Sequence, residues 1–298
     1  MQALAGGEML RARMKTIAIV ARPKKDEATQ LAKQIVERYP EREFLLQAHV
    51  AEPLGRPAVT DEELSRRAEL VIVLGGDGTM IYGARMLRGR PVPIVGINLG
   101  SLGFMTEIPV ADALSTLDAV LAGRGHVESR MKLSCRLFRG DALILDDEVL
   151  NDVVINKSAL ARVTEHETWL DGAFVANYRA DGVIFSTPTG STAYSLSAGG
   201  PIVHPSIDCV IVTPICPHAL TQRPIVVPGD QLVRVKLNSE VSDVFLTIDG
   251  QAGQALQKGD RIEVQRSLNR VMLVRNPQLD YFAILRQKLR WGERGPDA

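Results

Sequence analysis

Apolar positions along the first 125 residues alternate between two rhythms. Short unbroken runs, KTIAIVA at 15–21, ELVIVL at 69–74 and PIVGIN at 93–98, have strand length and are apolar on both faces. Such runs suit parallel strands covered by helices on each side. Between them the spacing is helical. Leu31, Ile35 and Val36 share a face over 26–38, and Met80, Ala84 and Leu87 fall at i, i+4 and i+7. Residues 110–122 predict an amphipathic helix closed by Gly123. Residues 43–48 predict a further strand, and 61–68 a short surface helix. Strand alternating with helix defines an open, doubly wound α/β sheet.

The texture changes after Gly123-Arg124-Gly125. Strands are expected at 127–138, 142–156, 161–170, 173–187, 208–213, 231–237, 243–248, 260–265 and 270–275. Asp171-Gly172 marks a hairpin. Short connections make this β-rich half mostly antiparallel. A last helix at 279–290 carries Tyr281, Ile284, Leu285 and Leu289 as an apolar stripe. The expected organisation is a disordered leader at 1–14, an α/β domain at 15–126, a β-rich domain at 127–276, and a C-terminal segment at 277–298 that returns to the first domain. An upstream start codon ahead of Met14 is the other reading of the leader.

Composition narrows the class. The chain has 298 residues, a length that suggests roughly two domains. Lys+Arg and Asp+Glu are both 35, so nothing in the balance favours nucleic acid or a polybasic membrane contact. Aromatics are only 5%, too few for single-strand stacking platforms. No apolar run reaches membrane-spanning length. Cys135, Cys209 and Cys216 form no C-x-x-C pattern and read as buried small hydrophobes in a reducing cytoplasm. His49, His126, His166, His204 and His218 lack metal-ligand spacing, so the protein itself is assigned no metal site. His218 reads first as a solvated loop histidine.

Three constellations carry candidate chemistry. Gly75-Gly76-Asp77-Gly78-Thr79 stands at the carboxyl end of a buried strand, where open α/β sheets bind ligands. Bare glycine backbone and a helix N-terminus suit phosphate. Asp77 is electrostatically wrong for phosphate unless it takes a proton or a metal, which points to catalysis. The other reading is a tight turn with Asp77 as N-cap. No G-x-x-x-x-G-K-[ST] occurs, which argues against a Walker-type ATPase. The second constellation, 186–201, packs hydroxyls among glycines and prolines. It is a sugar or phosphate site, or a polar loop with capping residues. A short helix over Thr192–Ser197 would aim its hydroxyls at a ligand. The third, Asn151-Asp152, pairs an amide with a carboxylate suited to a base edge or a ribose, although by spacing alone a turn is the simpler reading. Asp249-Gly250-Gln251 is a hairpin turn first.

Together these motifs resemble the bacterial NAD kinases. The resemblance rests on GGDGT (75–79), GINLGSLGFM (96–105), NDVVI (151–155), RADG (179–182), STPTGSTAYSLSAGGP (186–201) and TPICPHALTQRPIV (213–226), in that order. GGDGT alone is shared with lipid kinases; the Ser/Thr-rich block is far more specific. The resemblance implies an NAD kinase/diacylglycerol kinase-like fold with the active site between its domains. It implies transfer of the γ-phosphoryl of ATP to the 2′-hydroxyl of the adenosine ribose of NAD. It implies a divalent cation, magnesium, arriving with ATP, no tightly bound organic cofactor, and a homo-oligomer, dimer or tetramer, in which a neighbouring subunit can contribute to the NAD site.

By the same likeness Asp77 is the general base, and Gly75, Gly76, Gly78 and Thr79 form the phosphate loop. Phe104 lies against adenine, and Asn151 and Asp152 bind the adenosine part. Asp181, Thr192, Ala193, Tyr194, Ser195, Leu196 and Ser197 frame the other nucleotide end, with Tyr194 stacking on a base. Arg162, Arg179 and Gln251 supply further polar contacts. Many family members carry Asn-Glu where this chain has Asn151-Asp152, one methylene shorter. Two alternatives remain at this point. A lipid kinase would need an apolar acyl groove where 186–201 is rich in hydroxyls. A non-catalytic nucleotide sensor would have lost the base, and Asp77 is present.

Overall fold

The computed structural model describes residues 14–158, 163–239 and 243–291. The chain divides into two compact units. One runs to Ser129 and resumes at Val271; the other is Arg130–Arg270. These limits fall a few residues from the expected ones. The expected leader lies outside the described residues except for Met14, which is buried at 6% exposure.

In the first unit, β1 (Thr16–Ala21), β2 (Glu43–Leu46), β3 (Leu70–Gly75) and β4 (Pro93–Asn98) run parallel in the order β4-β3-β1-β2. The short β5 (Ile108–Pro109) pairs beside β4. Every residue of β3 and β4 is buried, as their unbroken apolar runs require. Helices Asp26–Arg38, Asp61–Arg67, Asp77–Met86 and Ala113–Leu121 accompany the sheet. Leu31 and Ile35 of the first of these share a core with Ile17, Ile19, Ile72, Leu74 and Ile97. The C-terminal helix Tyr281–Leu289 belongs to this unit. Asp280 caps it by accepting from the Ala283 amide at 2.7 Å, and Ile284 and Leu285 are buried.

The second unit is built from β6 (His126–Arg139) from Arg130 onward, β7 (Ala142–Val149), β8 (Asp152–Lys157), β9 (Thr164–Leu170), β10 (Ala173–Ala180), β11 (Gly182–Ser186), β12 (Cys209–Ile215), β13 (Ile225–Pro228), β14 (Val233–Leu237), β15 (Val244–Ile248), β16 (Ala252–Ala255) and β17 (Arg261–Arg275) as far as Arg270. One antiparallel sheet has the order β13-β12-β11-β8-β15-β16. Facing it, β10-β9-β14-β17 is also antiparallel. Val153, Ile155, Val183 and Phe185 of the first sheet meet Val235, Ile262 and Leu133 in a single core.

Several expected elements are cut differently. The run 142–156 breaks into β7 and β8 at Leu150-Asn151, whose amides turn to the Asp249 carboxylate. The run 173–187 breaks at Asp181, so β10 pairs with β9 while β11 pairs with β8 and β12. Conversely, 260–265 and 270–275 are one strand, β17. Its first residues pair with β14, and Met272–Val274 run parallel to β4. The helix expected from 110 begins as a 3₁₀ turn, Val110–Asp112. Asp171-Gly172 makes the hairpin turn with both residues at positive φ. Cys135 and Cys209 are buried, but Cys216, just past the end of β12, is exposed. Among the described residues no helix is long and apolar enough to cross a membrane.

Candidate active site

Local sequence positions Asp77 in three steps. Gly75 ends β3, Gly76 takes the N-cap position, and Asp77 opens the helix Asp77–Met86. Asp77 is therefore not the N-cap. Its side chain bonds instead to the segment Phe104–Thr106. Oδ2 accepts from the Phe104 amide at 2.8 Å. Oδ1 accepts from the Met105 amide at 3.0 Å, the Thr106 amide at 3.1 Å and the Thr106 hydroxyl at 3.2 Å. Four donors fix the carboxylate in one orientation, and Oδ2, with a single donor, keeps acceptor capacity. The approach demands glycine at 103, where a Cβ would overlap both Asp77 Oδ1 and Thr106 Oγ1. Gly75 is likewise required, because a Cβ there would overlap the Thr79 side chain. Gly76 and Gly78 differ: a Cβ at either would meet nothing within 4 Å. The fold leaves the space in front of them open, which is what a phosphate group needs to reach the backbone. Phe104 is half-buried, with Lys288 Nζ 5.7 Å from its ring centroid.

In the second unit Asn151 and Asp152 are held by a residue that reads in sequence first as a turn. Asp249 accepts from the amides of Leu150 at 3.0 Å, Asn151 at 2.7 Å and Asp152 at 3.2 Å. Its sole signal was an acidic residue opening an Asp-Gly hairpin. From the other side the Thr187 amide donates to the Asn151 carbonyl at 2.8 Å, and Thr187 Oγ1 donates to Leu150. Gly190 packs so closely that a Cβ would overlap the Asn151 carbonyl. Asn151 Oδ1 is buried and has no hydrogen-bond partner among the described residues. Asp152 is 5% exposed, and burial, with the Asp249 charge adding, pushes its carboxyl up to about 7.

The hydroxyl-rich segment forms a 3₁₀ turn, Thr189–Thr192, and a helical turn, Tyr194–Ser197, separated at Ala193 rather than one helix. Most of its hydroxyls hold the segment together and do not face outward. Ser191 Oγ donates to the Pro188 carbonyl at 2.6 Å, Thr192 Oγ1 to Thr189 at 3.2 Å, and Ser195 Oγ bonds Thr213 Oγ1 at 2.9 Å. Ala193 and Leu196 are half-buried, while Ser197 and Tyr194 are exposed. Burial raises the Tyr194 phenol, and the charges of Cys216, Asp152 and Asp181 add to it. Asp181 lies 3.4 Å from Lys157 Nζ. Arg179 is exposed and pairs with Glu165 at 3.4 Å, and its carbonyl accepts from the exposed His218. Gln251 is exposed in the turn after Asp249. Arg162 lies outside the described residues. Among those described, no group of three or more His, Cys, Asp or Glu could hold a metal ion.

A parallel sheet ends in an open glycine loop and a fixed carboxylate, where α/β sheets bind ligands, and the β-rich unit of the same chain presents an amide-carboxyl pair. Residues 17–125 match the ATP-NAD kinase N-terminal domain, and 150–276 the ATP-NAD kinase C-terminal domain. The NAD kinase of Geobacter metallireducens is 48% identical over 283 residues, covering 94% of this chain and 100% of that one. The crystal structure of yeast NADH kinase complexed with NADH is similar with a TM-score of 0.90 at 28% identity, over 97% of this chain and 91% of that one. An NAD kinase from Archaeoglobus fulgidus in complex with ATP gives 0.74 at 27% identity, over 92% and 98%. The chain belongs to the NAD kinase family.

Proposed function

We propose that this chain transfers the γ-phosphoryl of ATP to the 2′-hydroxyl of the adenosine ribose of NAD, giving NADP and ADP, with Asp77 as general base. The observation that carries the proposal is Asp77 itself, a carboxylate pinned by four donors beside two glycines whose missing side chains the fold does not require. A ribose hydroxyl is a weak nucleophile at neutral pH. A positioned carboxylate takes its proton as the new O–P bond forms, while the bond from γ-phosphorus to the bridging oxygen breaks and ADP leaves. Gly76, Gly78 and Thr79 hold phosphate, and Phe104 offers a ring to adenine. Asn151 and Asp152 hold the adenosine part. Tyr194, with 40% of its surface exposed, offers a stacking face. Magnesium enters as part of the substrate, bound by ATP phosphates, since it sheds water reluctantly and is commonly held through phosphate oxygens. A homo-oligomer located in the cytoplasm belongs to the same reading, and sedimentation equilibrium tests the assembly.

The deciding assay incubates the protein with ATP, Mg²⁺ and NAD and reads NADP with an NADP-specific dehydrogenase. Formation of NADP, nearly abolished in Asp77→Asn, is the expected result. Well-folded protein that makes no NADP, with polyphosphate also tried as donor, overturns it.

A further inference from the structure

The turn after β1 reads Arg22-Pro23-Lys24-Lys25, three cations in four residues. Two hydrogen bonds tie it to the glycine loop. The Arg22 amide donates to the Leu74 carbonyl at 3.0 Å, one residue before Gly75. Lys25 Nζ donates to the Leu99 carbonyl at 2.8 Å, and the Leu99 amide in turn donates to the Gly75 carbonyl at 3.3 Å. The Lys25 ammonium is thus carried inward to the carboxyl ends of β3 and β4, where the helix Asp77–Met86 begins.

That placement gives the ammonium a carbonyl but no carboxylate partner among the described residues. Lys25 is half-buried, and its ammonium has three donors, of which the Leu99 carbonyl takes one. Among the described residues no carboxylate lies within ion-pair distance of Arg22, Lys24 or Lys25, and Asp26 and Glu27, which open the next helix, are exposed. The nearby N-terminus of Asp77–Met86 is itself partly positive. A long lysine side chain ordinarily extends to water. Here it turns to the Leu99 carbonyl, and the Leu99 amide bonds to Gly75, the residue that precedes the open glycines Gly76 and Gly78. An anion at the glycine loop supplies the remaining ammonium donors with a partner, and a phosphate chain has the charge and the acceptor oxygens to do so.

We infer that Lys25 contacts the phosphate chain of the donor nucleotide as a point charge, with Arg22 and Lys24 adding attraction from the exposed rim. The inference rests on the phosphoryl-transfer reading above and assigns a donor-side residue to it. A competing role would be mechanical, with Lys25 only tethering the segment after β4 through the Leu99 carbonyl. Lys25→Gln separates the two, because glutamine keeps an N–H for that carbonyl and loses the charge. Lys25→Arg keeps the charge.

Calorimetric titration with Mg-ATP should show Lys25→Gln binding roughly tenfold more weakly than the parent, with a shallower salt dependence, and Lys25→Arg recovering most of the loss. The KM for ATP should rise in parallel, while the KM for NAD stays within about twofold. Equal ATP binding by parent and Lys25→Gln overturns the inference, as does an equal loss of ATP and NAD affinity, or an absence of ATP binding by the parent. The two readings fail separately. Lys25-dependent ATP binding without NADP formation removes the reaction and keeps the contact. NADP formation unaffected by Lys25→Gln does the reverse.

Discussion

Gly103 and Asp77 meet so closely that a single added carbon would separate them: a Cβ at Gly103 would overlap Asp77 Oδ1. The glycine in GSLGFM is therefore a condition for the orientation of a carboxylate that is distant in sequence. It lets the amides of Phe104, Met105 and Thr106 close on that carboxylate. Gly103→Ala should displace the base without removing it. A misplacement of about 1 Å is worth roughly 10²-fold in rate, and overpacking costs about 1–3 kcal/mol. Both kcat and the thermal midpoint should fall, and an unchanged kcat would show that Asp77 needs no such fixing.

Gly78→Ala should do the opposite to stability. Its Cβ meets nothing within 4 Å, and it lies in the first turn of a helix. Alanine there is expected to leave the thermal midpoint level or raise it, by up to about 1 kcal/mol. The KM for ATP should still rise, because the methyl occupies ligand space. A variant that unfolds more easily but binds ATP normally would show that the glycine serves the fold.

Asp77→Asn preserves size and one acceptor, so the fold and NAD binding should persist. Activity should drop by roughly 10²–10⁴, the usual worth of a positioned base. Steady-state kcat with NAD titration calorimetry checks both halves, and near-normal kcat would remove the base assignment.

Asp249→Ala leaves three backbone N–H groups without their acceptor, at Leu150, Asn151 and Asp152. Unsatisfied donors at a charged partner make this cost about 3 kcal/mol or more. Urea unfolding measures it. The KM for NAD should rise as well, since Asn151 and Asp152 lose their backbone anchor.

Two buried groups oppose each other in the pH dependence of stability. Burial holds His166 down to about 4, from 6.5. Thr164 Oγ1 donates to the Ala180 carbonyl, so His166 Nε2 donates to Thr164, and Nδ1 is buried without a partner among the described residues. The unfolded chain takes up this proton first, so the His166 term loses stability as pH falls from 6.5 toward about 4. Asp152 has the reverse sign. The folded state keeps its proton up to about 7 and the unfolded chain only to 3.8, so its stabilisation is present at low pH and is lost as pH rises through about 7. Asp152→Asn should unmask the histidine and steepen the loss of stability on acidification. Parallel profiles for parent and variant by urea unfolding across that window would refute the assignment.

The sequence by itself determined the main strands and helices of the first unit, the β-rich character of the second, and the glycine loop. These are local quantities: unbroken apolar runs, helical spacing, and turn residues such as Asp171-Gly172. It also carried the family, through motifs kept in order along the chain. It did not show that Asp249 anchors Asn151 and Asp152, or that Gly103 makes room for Asp77. It did not show that Ser191, Thr192 and Ser195 spend their hydroxyls inside the protein. It divided the strands wrongly at Asn151 and Asp181 and split β17 in two. Each of these depends on which distant backbone donors and acceptors meet, and hydropathy along a chain carries no record of partners remote in sequence. Tertiary structure alone decides such pairings, because a carboxylate or hydroxyl reads the same in sequence whether it faces solvent, a ligand or a buried amide.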